Sequence, residues 1–143
     1  MPARLSASRR TVLRGAAVTP IAGLGIAACS APGGGMTADA TPTAPVDLGA
    51  ENEVAEGSAK LYREHNVVVG RDTQGALKAY STVCTHAGCA INKLRGTTLI
   101  CPCHGSEFDA LTGKVVRDPA TVPLNALPVR TEGGRIVVGP GSA

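Results

Sequence analysis

The chain has 143 residues, among them 18 Gly, 10 Pro, 5 Cys and 3 His, which is room for one small domain with tails and excludes a large multi-domain enzyme. With no Trp, one Phe and two Tyr, it lacks the aromatic rows that stack on single-stranded nucleic acid, and its core needs some support besides bulk. The formal charge of +3 is unevenly placed: Arg4, Arg9, Arg10 and Arg14 precede the first acid, Asp39, and from Ser30 onward 10 basic residues face 11 acidic ones, a net of −1, so the charge gives no ground for a nucleic-acid partner.

Ser8, Arg9, Arg10, Thr11, Val12, Leu13 and Arg14 form a twin-arginine run, followed from Gly15 to Ala28 by 14 uncharged, small or apolar residues that include Pro20, Gly23 and Gly25. That stretch is shorter than the ~20 residues a spanning helix needs. Residues 1–29 resemble a twin-arginine export signal, with Val12 and Arg14 where such signals often carry Phe and Lys. The end of the stretch, Ile26-Ala27-Ala28-Cys29-Ser30, resembles a bacterial lipobox and implies lipidation of Cys29. Cleavage near Ala31 and an uncleaved anchor are the competing readings. Diacylation plus an amide-linked chain would hold the protein at a membrane through its N-terminus, where one chain binds only marginally.

Residues 30–52, rich in Gly, Pro, Thr and Ala, read as a flexible linker. Residues 53–143 change to short β-type runs: Ala59 to Arg63, Val67 to Arg71, Ala76 to Ser81, Thr97 to Cys101, Ala126 to Thr131 and Arg135 to Val138. Asp72-Thr73-Gln74-Gly75 and Glu132-Gly133-Gly134 separate paired runs and predict hairpin turns. No stretch keeps a helical period over three turns, so this part reads as an all-β antiparallel domain with its chemistry on loops. His65 falls outside the motifs below and reads as an exposed strand residue.

Two clusters carry the chemistry: Cys84-Thr85-His86-Ala87-Gly88-Cys89 and Cys101-Pro102-Cys103-His104-Gly105-Ser106, which hold four of the five Cys and two of the three His. Thiolate and imidazole ligands at C-x-H and C-x-x-H spacing point to a transition metal. Two loops that each give one sulfur and one nitrogen suit either one tetrahedral zinc or two irons with sulfide. A zinc site made of four of these side chains leaves the remaining two cysteines without a reason.

C-T-H-A-G-C followed by C-P-C-H-G-S resembles the two boxes of the Rieske iron-sulfur family. The resemblance implies a small antiparallel Rieske-type β sandwich with cluster-binding loops at one end and one 2Fe-2S cluster. Cys84 and Cys101 then bind one iron, and His86 and His104 the other. Imidazoles in place of two thiolates leave the cluster less negative, with family potentials of roughly −150 to +300 mV. Cys89 and Cys103 match the members that link their cluster loops by a disulfide, a staple for a small core. Such a bond persists outside the reducing cytoplasm, whereas iron-sulfur assembly occurs inside it. Export of an already folded protein by the twin-arginine route reconciles the two.

The resemblance also assigns residues around the cluster. Ser106 matches a serine whose hydroxyl reaches a bridging sulfide. Phe108 stands where high-potential members carry Tyr, which implies a lower potential within that class. Gly88 and Gly105 are expected to let the backbone approach and donate N–H groups, since a Cβ would crowd the turns. Pro119, in the run from Asp118 to Pro123, resembles the proline-rich loop over the cluster's third side, with Asp118 where Gly is usual.

By the same resemblance the protein is an electron-transfer subunit rather than an enzyme on its own. It is expected on the extracytoplasmic face of the cytoplasmic membrane, similar to the iron-sulfur subunit of cytochrome bc1-type quinol-oxidising complexes. Its redox partners are then a quinol-oxidising cytochrome b and a cytochrome c type acceptor. The departure is size, since only 11 residues separate Cys89 from Cys101. A stand-alone Rieske lipoprotein, or the small subunit of another exported oxidoreductase such as an arsenite-oxidase type, competes. A ferredoxin feeding a dioxygenase is a further alternative, although such ferredoxins lack the disulfide pair and the signal.

Overall fold

Apolar runs too short for a helix, punctuated by glycine, fold here into strands. The computed structural model describes residues 41–141. The export signal assigned to 1–29, with Cys29, and the first part of the linker lie outside the described residues. Eleven strands follow in order: β1 (Val46–Ala50), β2 (Ser58–Tyr62), β3 (Val67–Arg71), β4 (Leu77–Ser81), β5 (Lys93–Arg95), β6 (Thr98–Ile100), β7 (Glu107–Asp109), β8 (Val115–Arg117), β9 (Ala126–Leu127), β10 (Val129–Glu132) and β11 (Arg135–Val138). Every pairing between them is antiparallel. They form three sheets, ordered β1-β11-β10, β2-β3-β4-β9 and β5-β6-β7-β8, and the all-β antiparallel expectation holds.

The middle sheet separates two cores, and β3 shows how. Side chains alternate faces along a strand. Val68 packs with Tyr80, Ile91, Leu99, Phe108 and both cysteines that are free among the described residues, Cys84 and Cys101. Val67 and Val69 turn the other way, onto Leu48, Val54, Tyr62, Ile136 and Val138. All three valines are fully buried, which explains an unbroken apolar run where a one-sided strand would alternate. Gly70 continues this close fit: a Cβ there would stand 2.7 Å from the carbonyl oxygen of Ala110, so β3 and the turn after β7 meet backbone against side-chain position.

The linker reading fails at its C-terminal end. Val46–Ala50 is not linker but β1, paired with β11. Val46 and Leu48 join the second core, and between them Asp47 takes Arg135 Nε at 2.5 Å and accepts the Gly49 N–H at 2.9 Å. The edge of β11 supplies the partner that composition could not reveal. Two smaller differences have equally local causes. The run read from Ala126 to Thr131 splits at Pro128, which has no N–H to donate, so β9 pairs with β4 and β10 with β11. His65 sits half-buried on a 3-10 turn, Arg63–His65, rather than on a strand. Both expected hairpin turns join the strands they were read between, β3 to β4 and β10 to β11.

Candidate metal centre

Three connections converge on one end of the small β5–β8 sheet: residues 82–92 before β5, 101–106 between β6 and β7, and 118–125 between β8 and β9. The first two are built alike. In each, the leading cysteine's N–H donates to the carbonyl five residues on, Cys84 to Cys89 at 2.8 Å and Cys101 to Ser106 at 2.9 Å. In each, the glycine four residues on returns its N–H to that cysteine's carbonyl, Gly88 at 2.8 Å and Gly105 at 3.1 Å. The two glycines have φ of +72° and +78°, a left-handed conformation that costs a residue with a Cβ about 1–2 kcal/mol. A Cβ at either position meets no protein atom within 4 Å, so the protein itself does not crowd these turns. Their N–H groups close the turns instead of pointing at the site.

This repeated turn sorts the candidate ligands by depth. Cys84 and Cys101 are 2% and 1% exposed, within the first core. His86 and His104 lie at the surface, their ring centroids 4.7 Å apart and the planes 80° to each other. Burial pushes the Cys101 thiol above its ordinary range, and the neighbouring Cys84 thiol raises it further, against backbone N–H groups of Cys103 and His104 that donate to its sulfur. Those donors favour the thiolate, the form a metal takes.

Cys89 and Cys103 form a disulfide, with Cα atoms 6.5 Å apart. It ties the first loop to the second. The Sγ atoms of Cys89, Cys101 and Cys103 all lie within 4.8 Å of one another, but two of these sulfurs are already bonded to each other, so this trio is not a ligand set. The third loop is held by two further ties. Thr85 Oγ1 donates to the carbonyl of Val122 at 2.6 Å, and the N–H of Ala120 donates to Ser106 Oγ at 3.0 Å. Each pair of loops thus has one link of its own.

Ser106 is fully buried and its oxygen accepts from Ala120, which leaves the hydroxyl proton free to donate. Phe108 is fully buried in the same core as both free cysteines. Pro119 is exposed on the third loop, after a cis bond from Asp118. Sequence reasoning missed Thr85 and Ala120 as fasteners. Thr85 lies between two candidate ligands and its hydroxyl was a usable signal; Ala120 acts through its backbone and leaves none.

The donor set suits two metals of unlike surroundings. Two adjacent buried sulfurs face inward, two imidazoles face solvent, and a disulfide braces the loops between them. The sequence profile of the Rieske 2Fe-2S domain matches residues 44–128, and the chain belongs to that family, whose domain carries a 2Fe-2S cluster. Among its relatives, the cytochrome b6-f complex iron-sulfur subunit of Chlorobaculum thiosulfatiphilum is 36% identical over 93 residues, 64% of this chain and 51% of that protein. The corresponding subunit of Parasynechococcus marenigrum is 36% identical over 114 residues, 74% of this chain and 63% of that protein. The chain thus spans between about half and under two thirds of these relatives' length. Among solved structures, the plasma membrane Rieske protein of Synechocystis PCC 6803 is 31% identical with a TM-score of 0.52, covering 66% of this chain and 99% of that one. The ferredoxin of carbazole 1,9a-dioxygenase from Nocardioides aromaticivorans is 26% identical with a TM-score of 0.50, covering 69% of this chain and 100% of that one. The protein is a Rieske iron-sulfur protein resembling the iron-sulfur subunit of b6-f and bc1 complexes.

Proposed function

We propose that Cys84 and Cys101 ligate one iron and His86 and His104 the other, and that the protein carries single electrons on the extracytoplasmic face of a membrane as the iron-sulfur component of a quinol-oxidising complex. The observation that carries this reading is the matched pair of turns that buries both free cysteines and exposes both histidines 4.7 Å apart. A cluster bound there supplies a one-electron couple. The chain's own residues decide how that couple is reached. His86 and His104 are the surface ligands, so a donor or acceptor docks at their edges, and each ring keeps one nitrogen outside the metal to hold or pass a proton. Cys84 and Cys101 sit behind them in an apolar core that excludes water. Ser106 offers its hydroxyl proton from the buried side.

Counting metal in the folded protein tests the ligand reading directly. Two irons and two acid-labile sulfides are expected. One zinc without sulfide overturns it. The partners proposed are a quinol-oxidising cytochrome b and a cytochrome c type acceptor, supported by the likeness to b6-f subunits. A carrier standing apart from such a complex is the second reading, favoured by the near-complete cover of the Synechocystis plasma membrane protein. Co-purification of a cytochrome b with the tagged protein from native membranes decides between them.

The N-terminal reading remains part of the proposal: residues 1–29 as a twin-arginine signal, Cys29 as a lipidated anchor, and a tether that ends before β1. Among the described residues no helix is long and apolar enough to cross a membrane, and a disulfide braces the site. Both fit export of a folded, lipid-held domain. Arg9→Lys with Arg10→Lys is expected to retain the protein in the cytoplasm. Unimpaired export of that variant overturns the route.

A further inference from the structure

The Cys101 sulfur lies within 4.8 Å of both sulfurs of the Cys89–Cys103 disulfide. Cys84, equally buried, is not part of that group of mutually close sulfurs. A free thiol beside a disulfide is one displacement away from a different pairing, since exchange needs only a sulfur nucleophile and a reachable S–S bond. We propose that Cys101, Cys89 and Cys103 form an intramolecular thiol–disulfide exchange centre, which metal ligation of Cys101 holds in the Cys89–Cys103 pairing and which loss of the metal releases. The proposal rests on the assignment of Cys101 as a ligand.

The step balances without any outside oxidant. The Cys101 sulfur, as thiolate, attacks Cys89 Sγ; a Cys89–Cys101 bond forms, the Cys89–Cys103 bond breaks, and Cys103 leaves as thiolate and takes up the proton that Cys101 gave. The number of disulfides and of thiols stays the same. Attack on Cys89 is favoured over attack on Cys103, because Cys101 and Cys103 are separated by Pro102 alone and a bond between them would close a small ring on a restricted backbone. The new bond still joins the first loop to the second, so the loops stay linked. What changes is the ligand set: one of two inward sulfurs is consumed, and a half-buried thiol at Cys103 replaces it. The exchange therefore converts loss of the metal into a state that cannot take it back until a reductant or a second exchange restores Cys101. It also gives a chemical reason for loading the site before the disulfide closes.

The test follows the position of the free thiols. The purified, iron-loaded protein is treated anaerobically with an iron chelator and no reductant, quenched with acid, and alkylated. Peptide fragmentation then locates the label. Without chelator the label is expected on Cys84 and Cys101. After metal removal it is expected to move from Cys101 to Cys103 and to remain on Cys84. In Cys101→Ser, treated the same way, Cys103 is expected to stay unlabelled. A label that remains on Cys101 after metal removal overturns the proposal. So does the appearance of disulfides containing Cys84, because Cys84 adjoins Cys101 and its capture is an exchange other than the one proposed. Iron and sulfide counted in the starting material report on the ligand assignment, and label position after chelation reports on the exchange, so each can fail alone. Reconstitution of the chelated protein with iron and sulfide gives a second readout: uptake is expected to be lost without dithiol and recovered with it.

Discussion

Replacing Ser106 by Ala separates two roles that the geometry gives one hydroxyl. Its oxygen accepts the N–H of Ala120 at 3.0 Å, and both residues are buried, at 0% and 2% exposure. Ser106→Ala leaves that N–H without a partner, which costs about 1–3 kcal/mol. For a domain of this size each kcal/mol lowers Tm by roughly 4–8 °C. The hydroxyl proton, free of any protein acceptor, is the one proposed to reach a bridging sulfide. A hydrogen bond to the more negative, reduced cluster of about 1.5 kcal/mol corresponds to about 65 mV for one electron. The potential of Ser106→Ala is therefore expected to fall by about that much, measured by protein-film voltammetry, alongside the loss in Tm. A lower Tm with an unchanged potential would refute the donor role and leave Ser106 only as the anchor for the third loop.

Phe108→Tyr places a hydroxyl in the core that holds both free cysteines; if it reaches a cysteine sulfur the potential rises by a similar ~65 mV, and if it finds no partner the potential stays and the domain loses about 1–3 kcal/mol instead. Voltammetry and thermal melting of one sample distinguish the two, and an unchanged potential refutes the contact. Gly113 and Gly88 both have left-handed φ, +71° and +72°, but a Cβ on Gly113 would stand 2.5 Å from the Tyr80 ring while one on Gly88 meets nothing. Gly88→Ala is expected to cost about 1–2 kcal/mol and Gly113→Ala about 1–3 kcal/mol more, so equal urea midpoints would contradict the packing. On the surface, hydrogen bonding to Arg135 and to Lys60 holds the carboxyls of Asp47 and Glu53 below their ordinary range. That stability is fully present above about pH 5 and is lost as pH falls through the lowered values. It is small and salt-sensitive because both groups are exposed. An acid-side loss that persists unchanged in Asp47→Asn with Glu53→Gln would assign it elsewhere.

The candidate site was legible because its chemistry is local. Cys84, His86 and Gly88 lie within five residues, and so do Cys101, His104 and Gly105, so two short motifs carried the candidate ligand types and the turn shape together. Long, doubly buried strands were legible as well, since Val67–Arg71 has no polar break before its end. Strands β5, β7 and β8 were not: each has three residues, too few for a period, and Lys93, Arg95, Glu107 and Asp109 dominate two of them. β1 was hidden because Pro45 precedes it and Gly49 lies within it, and its partner β11 comes 85 or more residues later, as in Ala50 to Arg135. The loop fasteners Thr85 to Val122 and Ser106 to Ala120 join positions 37 and 14 apart. Neither bond leaves a motif in the sequence: Val122 and Ala120 take part through the backbone alone.

The division into two cores has a consequence for how changes in sequence reach the electron. Cys84, Cys101 and Phe108 lie in the first core, whereas Val46 and Leu48 of β1, the first described strand, pack in the second with Val67, Val69 and Ile136. A truncation such as Ile136→Val leaves a small void among residues that contact no ligand, at a cost of about 0.5–1.5 kcal/mol. The loops that hold the sulfurs stay fixed by one disulfide and two hydrogen bonds. A truncation at Leu99 opens the core beside Cys101 itself. It shifts packing and polarity around the sulfur together, so stability and potential change in one step. The two halves of the sandwich thus separate the packing of the β1 strand from the packing around the sulfurs.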